Sequence, residues 1–224
     1  MNFGQGISVE FTSTGYALLR MSSGENRLNY DFLTAMHKAL DFVESKEDCK
    51  ALITTGQGKF FCNGVDLEIA VNPSILSNLF AAVGILLNRL RIFPLPTVAA
   101  INGHAFAGGA FLALAHDYRV MNAQRGWICW NEIDINTPIP KEGIHFMRHI
   151  LSPIVLRDGL LFGKRFAAQE ALSNELVDVV TDDHGLIEAS VELLARVIDK
   201  SKWQKNVIAA MKKNLYAPTV SSKL

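Results

Sequence analysis

The sequence predicts an α/β domain in which most strands pair in parallel. Short apolar, β-branched runs alternate with helical segments up to about residue 180, and this alternation is typical of parallel pairing. The chain has 224 residues, of which 49% are hydrophobic, so it can bury one large core. We therefore expect a single domain, with a core over residues 1–180 and a helical region over residues 181–221.

Hydrophobic periodicity and the glycine and proline boundaries place the individual elements. Strands are predicted at residues 8–11, 16–21, 51–55, 97–101, 118–121, 127–130 and 176–180. Helices are predicted at residues 31–45, 74–91, 110–115, 141–151, 152–162, 167–174, 186–201 and 203–215. Residues 56–66 contain three glycines and are predicted to form a loop.

Composition argues against several classes of protein. Lys and Arg number 22, as do Asp and Glu, so the net charge is zero and nothing favours nucleic-acid binding. The three cysteines are scattered, which fits a reducing compartment without disulfides. The most membrane-like window, residues 95–115, is interrupted by Pro96, Asn102 and His104, so we expect it to be core and not a membrane span. Ser222-Lys223-Leu224 matches the tripeptide that a peroxisomal import receptor reads, so we expect a location in the peroxisomal matrix.

Residues 99–114 have the pattern of a site for a developing anion. A buried strand leads through Asn102-Gly103 and the pair Gly108-Gly109 into a helix of small apolar residues. The first N–H groups of a helix have no partner within it, and adjacent glycines let a ligand approach the backbone closely. The stretch can therefore present N–H groups to negative charge that forms on a bound substrate.

Two further stretches complete the pattern. Residues 59–67 read K-F-F-C-N-G-V-D-L, residues 101–110 read I-N-G-H-A-F-A-G-G-A, and residues 130–135 read W-N-E-I-D-I. In this order they resemble the enoyl-CoA hydratase/isomerase (crotonase) superfamily over about residues 9–180, and are most similar to the peroxisomal Δ3,Δ2-enoyl-CoA isomerases. The resemblance implies a crotonase-type superhelix of repeated β-β-α units with a helical C-terminal part, assembled as a homotrimer or hexamer. It also implies acyl-CoA substrates and no separate cofactor, because coenzyme A is part of the substrate.

The resemblance also assigns roles in catalysis. It places an oxyanion hole of two backbone N–H groups at Val65 and Gly108. Hydratases of the family carry two glutamates, of which one matches Glu132, while the other position is Phe111, which cannot transfer a proton. The implied reaction is isomerisation within fatty-acid β-oxidation, in which Glu132 removes a proton from C2 of a 3-enoyl-CoA and returns it at C4. Two alternatives stay open: another acyl-CoA reaction, such as hydration or thioester hydrolysis, and an inactive homologue that only binds acyl-CoA.

The surroundings of this site carry further expectations. Trp130, Ile133 and Phe111 are expected to desolvate Glu132 and to raise its pKa. Residues 75–87 and Phe93 either border the acyl chain or pack in the core. The residues expected to contact the substrate are Lys59, Phe60, Phe61, Cys62, Asn63, Gly64, Asp66 and Phe111.

One possible metal site is set aside. His145 and His149 have a zinc-compatible spacing on a predicted helix. The sequence offers no third ligand near them, so we expect no metal.

Overall fold

The computed structural model describes residues 1–69, 72–182, 184–199 and 204–216. The strands are β1 (Asn2–Gly4), β2 (Ile7–Phe11), β3 (Tyr16–Met21), β4 (Ala51–Gly56), β5 (Phe60–Cys62), β6 (Thr97–Ile101), β7 (His104–Phe106), β8 (Tyr118–Asn122), β9 (Ile128–Cys129) and β10 (Val179–Thr181). The helices are α1 (Tyr30–Glu44), α2 (Pro73–Arg91), α3 (Gly108–Leu114), α4 (Lys141–Arg148), α5 (Pro153–Leu156), α6 (Ala168–Ser173), α7 (Leu186–Asp199) and α8 (Lys205–Tyr216). A 3₁₀ helix spans Glu132–Ile135, and a π-helical segment, Arg157–Leu161, continues α5.

The strands form two sheets. The large sheet has the order β1-β2-β3-β4-β6-β8-β10, in which the pairs β1–β2 and β2–β3 are antiparallel and the others are parallel. The small sheet, β5-β7-β9, is parallel throughout. Successive pairs of strands therefore give one strand to each sheet before a helix follows: β4-β5-α2, then β6-β7-α3, then β8-β9. This arrangement confirms the predicted α/β class and the repeated β-β-α unit.

The two faces of the large sheet are covered by different helices. On one face, helices α1, α2 and α3 pack over buried side chains such as Leu19, Leu52 and Ile101. On the other face, α7 covers a smaller apolar cluster that includes Ile53, Val98 and Leu194. A parallel sheet buried on both faces needs continuous apolar strands, and β4 and β6 are buried along their whole length.

Helix α8 is fixed to the sheet by one buried lysine. The ammonium group of Lys212 donates to the carbonyl of Leu95 at 2.8 Å and to the Asp117 carboxylate at 2.5 Å. That carboxylate also accepts the backbone N–H of Thr97 at 2.8 Å. Because both charged groups are satisfied, the pair connects the C-terminal helix to the start of β6 and the end of α3 without an unpaired charge.

Several predicted elements need correction. The segment 56–66 is not a loop throughout, because it contains β5, and β7 follows the predicted turn at Asn102-Gly103. Residues 152–162 do not form one α-helix, and the predicted strands 127–130 and 176–180 are shorter than expected. Short strands of two or three residues carry too little periodicity to be recognised. The predicted helices 186–201 and 203–215 lie partly outside the described residues, as does the tripeptide 222–224.

The helix α2 is long and rich in apolar residues. By length and apolar composition it alone, among the described residues, could cross a membrane, and a single such helix is weak evidence for a span. Its apolar side chains include Phe80, Val83 and Leu87, which line a cavity. The apolar side chains of α2 therefore form part of a cavity wall.

Candidate active site

A single cavity of about 810 Å³ brings the predicted catalytic groups together. Its walls come from α2, from the loop after β5, from the start of α3, and from the segment between the 3₁₀ helix and α4. Val65, Gly108 and Glu132 all line it, and so does Phe111. Most of the other lining side chains are apolar, which keeps the effective dielectric low and strengthens electrostatic contacts inside.

Two backbone N–H groups are free to receive a charge in this cavity. Val65 follows Gly64, whose carbonyl accepts the N–H of Leu28 at 2.8 Å, while the N–H of Asp66 returns to the Leu28 carbonyl at 3.0 Å. This bridge on both sides of Val65 leaves its own N–H without a partner among the described residues. Gly108 begins α3, so its N–H has no partner within the helix, nor elsewhere in the described part of the chain.

The two amides lie close together because the backbone around them is unusual. Gly64 has a φ of +79°, and a Cβ built on it would lie 3.1 Å from the Gly108 nitrogen. A Cβ built on Gly108 would lie 3.4 Å from the Val65 nitrogen. The positive φ of Gly64 favours glycine at that position, and a side chain at Gly108 would narrow the space next to the amides.

Ala107 orients the second amide. It has a φ of +49° and a ψ of −120°, a conformation that costs a non-glycine residue about 1–3 kcal/mol. Its N–H donates to the Cys129 carbonyl at 2.8 Å, and its carbonyl accepts the N–H groups of Ala110 and Phe111 at 2.9 and 3.2 Å. These bonds hold the peptide between Ala107 and Gly108 in place, so the Gly108 N–H belongs to a fixed peptide.

Gly109 allows α3 to pack directly on β5. A Cβ built on Gly109 would lie 2.0 Å from the carbonyl oxygen of Cys62, which is far inside any real contact. The start of the helix thus contacts the strand backbone directly. The two glycines have different neighbours: the N–H of Gly108 faces the cavity side of α3, whereas Gly109 leaves room for the small sheet.

Glu132 supplies one of the two acidic side chains that line the cavity. It is the first residue of the 3₁₀ helix, and its Oε2 atom is buried without a hydrogen-bond partner in the described residues. Desolvation raises the pKa of this carboxyl from 4.5 to about 7, which confirms the predicted direction. A carboxyl with this pKa is divided between its acid and base forms near neutral pH, which suits proton transfer.

The apolar neighbours of Glu132 agree only partly with expectation. Phe111 lines the same cavity and is 8% exposed. Trp130, two residues before Glu132, is fully buried. Ile133, by contrast, is 50% exposed and is not part of the cavity wall. A 3₁₀ helix turns successive side chains by about a third of a turn, so Ile133 points away when Glu132 points inward.

Only some of the residues expected to contact the substrate line the cavity. Asn63 and Phe111 line the cavity. Phe61 and Cys62 are fully buried, and the Cys62 thiol donates to the Asn26 carbonyl at 3.0 Å. The expected residues that lie outside the cavity lining are Lys59, Phe60, Phe61, Cys62, Gly64 and Asp66. Their roles towards the substrate stay predictions, and burial raises the pKa of the Cys62 thiol to about 12, so it is a poor nucleophile.

Other cavity residues were not anticipated from the sequence. Arg27, Arg91 and Glu142 line the wall. Arg91 continues the four-residue spacing of Val83 and Leu87 on α2, and a charged residue on an apolar stripe was the available signal. Phe93, which was expected either to border the acyl chain or to pack in the core, is fully buried and belongs to the core cluster.

The two histidines set aside as metal ligands contact each other. The Nε2 atoms of His145 and His149 lie 3.2 Å apart. Within the described ranges no group of three or more His, Cys, Asp or Glu side chains is placed to hold a metal ion. The polar groups that line the cavity include the carboxyls of Glu132 and Glu142 and the amides of Val65 and Gly108.

Comparison with known proteins agrees with this site. The profile of the Enoyl-CoA hydratase/isomerase family matches residues 13–224. "Enoyl-CoA delta isomerase 3" of Arabidopsis thaliana is 34% identical over 210 residues, which cover 90% of this chain and 88% of that protein. "Enoyl-CoA delta isomerase 2, peroxisomal" of the same plant is 34% identical over 212 residues, with the same coverage. Two solved structures from Mycobacterium tuberculosis, one described as an enoyl-CoA isomerase and the other as a probable enoyl-CoA hydratase, superpose with a TM-score of 0.84 at 26% identity, over 94% of this chain and 91% and 88% of those chains. The chain therefore belongs to the enoyl-CoA hydratase/isomerase family.

Proposed function

We propose that this enzyme is a Δ3,Δ2-enoyl-CoA isomerase. The observation that carries the proposal is the buried Oε2 atom of Glu132, which lines the same cavity as the amides of Val65 and Gly108, all three without a hydrogen-bond partner in the described residues. Isomerisation needs one group that takes a proton and returns it, together with a place for the negative charge between those steps. The names of the Arabidopsis relatives support the same reaction.

The proposed reaction has two proton transfers. The Glu132 carboxylate takes a proton from C2 of a 3-enoyl-CoA; the C2–H bond breaks, and its electron pair moves into a dienolate whose negative charge lies on the thioester oxygen. The amides of Val65 and Gly108 donate to that oxygen. The carboxyl then gives the proton to C4, and the electrons return to form the trans-2 double bond. No atom is gained or lost, so no co-reactant is required.

The amides and the carboxyl contribute comparable amounts to the rate. A donor that points at a developing oxyanion is worth on the order of 10²–10³-fold in kcat. General acid–base catalysis by a positioned side chain contributes on the order of 10²–10⁴-fold. Both effects are strengthened by an apolar wall, of which Phe111 is part.

Hydration is the second candidate, and one observation favours it. Glu142 at the start of α4 also lines the cavity, so a second acid is present although Phe111 occupies the family position for it. Glu142 is exposed, in contrast to Glu132. We therefore rank hydration below isomerisation, because, of these two carboxyls, only that of Glu132 has a buried oxygen without a hydrogen-bond partner in the described residues.

The test uses purified protein with a 3-enoyl-CoA and with a trans-2-enoyl-CoA. We expect the first thioester to gain the absorbance of a conjugated enoyl thioester, and the second to remain unhydrated. Glu132→Gln should lower the isomerisation rate by on the order of 10²–10⁴-fold, whereas Glu142→Gln should leave it within about twofold. Hydration of the trans-2 substrate that is lost in Glu142→Gln would replace the proposal, and binding without turnover would support an inactive homologue.

Location and assembly belong to the same proposal. One of the Arabidopsis relatives is named peroxisomal, which supports a peroxisomal matrix enzyme within β-oxidation. Imaging of a fluorescently tagged chain with and without residues 222–224 tests the location. The predicted homotrimer or hexamer is tested by light scattering of the purified protein.

A further inference from the structure

Arg91 is a buried cation that forms no ion pair with any described residue. It ends α2, is 9% exposed, and its Nε and Nη2 atoms are buried without a hydrogen-bond partner in the described residues. An isolated charge of this kind is costly to bury, and native proteins normally pair it. It is therefore the largest unsatisfied polar feature of the cavity.

The surroundings of Arg91 hold it in place but do not neutralise it. Its guanidinium lies 4.4 Å from the ring centroid of Phe146 and 4.3 Å from that of Tyr216. Aromatic rings stabilise a guanidinium through its faces, whereas its N–H donors lie in its plane and still require acceptors. The acidic residues that line the same cavity are Glu132 and Glu142, and neither pairs with Arg91.

Arg91 and the reacting groups share one continuous space. Gly108, at the hole, begins α3, and Phe111 lies one turn further along that helix. The rings of Phe111 and Phe146 are 5.9 Å apart, and Phe146 in turn stacks on Arg91. The cavity wall therefore runs from the amides through two phenylalanines to the guanidinium, the order in which a thioester and its acyl chain would meet them.

We propose that Arg91 recognises a carboxylate at the far end of the acyl chain, so that the preferred substrates are enoyl-CoA thioesters of dicarboxylic acids. This inference rests on the proposed function. The planar guanidinium matches the geometry of a carboxylate, and the two phenylalanines suit the methylene chain between the two ends of the substrate. A chain that ends in methyl would leave the buried cation unpaired, and a site built for a polar group discriminates strongly against such an analogue.

The first test measures binding, which does not depend on turnover. Saturated acyl-CoA thioesters in two series, ending in methyl or in carboxylate, are titrated by calorimetry over a range of chain lengths. At the best length we expect the carboxylate series to bind on the order of 10-fold to 100-fold more tightly than the methyl series. Equal binding of the two series at every length by the unmodified protein would overturn the inference, whatever the behaviour of any variant.

Two variants separate recognition from support of the fold. Arg91→Met keeps an unbranched apolar stem without the charge, and should remove the preference for carboxylate while methyl-ended thioesters bind equally well or better. Arg91→Lys keeps the charge without the planar fork, and should retain a smaller preference. If Arg91→Met weakens both series to the same extent, Arg91 only supports Phe146 and Tyr216, and the inference fails.

Turnover separates this inference from the proposed function. The same two series are supplied as 3-enoyl thioesters, and kcat/KM is compared. A carboxylate preference in binding without isomerisation of either series would overturn the proposed function and leave the role of Arg91 standing. Isomerisation of both series with equal kcat/KM would do the reverse.

Discussion

The two walls of the cavity to which we assign the proposed catalysis are built by different means. The amide wall consists of Gly64, Ala107, Gly108 and their neighbours, in which backbone meets backbone and side chains are nearly absent. The acid wall is a short 3₁₀ helix in which the Oε2 atom of Glu132 is buried while the next residue, Ile133, is 50% exposed. The comparison indicates that stabilising a negative charge depends on N–H donors in fixed positions, whereas proton transfer depends on the burial of the carboxyl that carries the proton.

The largest effect is expected where the amide wall contacts the small sheet. Gly109→Ala places a methyl group 2.0 Å from the Cys62 carbonyl oxygen, so α3 has to shift. We expect a loss of about 3 kcal/mol or more in the free energy of unfolding, measured by urea denaturation. Gly84→Ala in α2 is the matched control, because nothing lies within 4 Å of its added methyl group; it should be neutral or stabilising by about 0.5–1 kcal/mol. Equal effects of the two changes would contradict this account of the wall.

A second substitution in the same wall should affect catalysis more than stability. In Gly108→Ala the methyl group would lie 3.4 Å from the Val65 nitrogen, in the space of the substrate oxygen. We expect kcat to fall by on the order of 10²-fold, with a change in unfolding free energy below about 1 kcal/mol. Steady-state kinetics and denaturation of the same sample check both parts. A fall in stability without a fall in kcat would remove Gly108 from the oxyanion hole.

The acid wall should show the opposite relation between activity and stability. Because folding raises the pKa of Glu132 from 4.5 to about 7, the folded state holds more protons than the unfolded state between those values, and stability falls as the pH rises through them. Glu132→Gln removes this cost, so at pH 8 we expect it to be more stable by about 1–2 kcal/mol while it is inactive. The gain should shrink as the pH approaches 5. Destabilisation at pH 8 would mean that the carboxylate has a partner.

The pH dependence of turnover should be the smallest of these effects. The base form of Glu132 is needed, so kcat/KM should be level above pH 7 and fall by about tenfold per pH unit below it. Measurement in buffers of constant ionic strength checks this. A fall that begins only near the pKa of an ordinary glutamate would show that the acid wall is hydrated during catalysis.

The amide wall was predictable from the sequence, and much of the remaining site was not. Glycines at 64, 108 and 109 mark positions where a side chain has no room, and that constraint is visible in the sequence itself. The strands β5 and β7 were missed because three residues carry no periodicity. Arg91 was assigned only to the end of a helix. Its position on the apolar stripe of α2 was a signal, but its enclosure by Phe146 and Tyr216, 55 and 125 residues further along the chain, depends on tertiary contacts. Tertiary contacts of that kind appear only once the chain is folded.

Because the backbone conformation of Ala107 is unfavourable, the direction of the Gly108 N–H depends on the residues that hold Ala107 in place. An alanine left to itself would relax and rotate the following peptide away, and one of the restraints that prevents this is the bond to Cys129 in the small sheet. Substitutions that distort the small sheet are therefore expected to lower activity even when Val65, Gly108 and Glu132 are unchanged. Substitutions around β9 would then lower kcat, as active-site substitutions do, although the side chains that line the cavity stay the same.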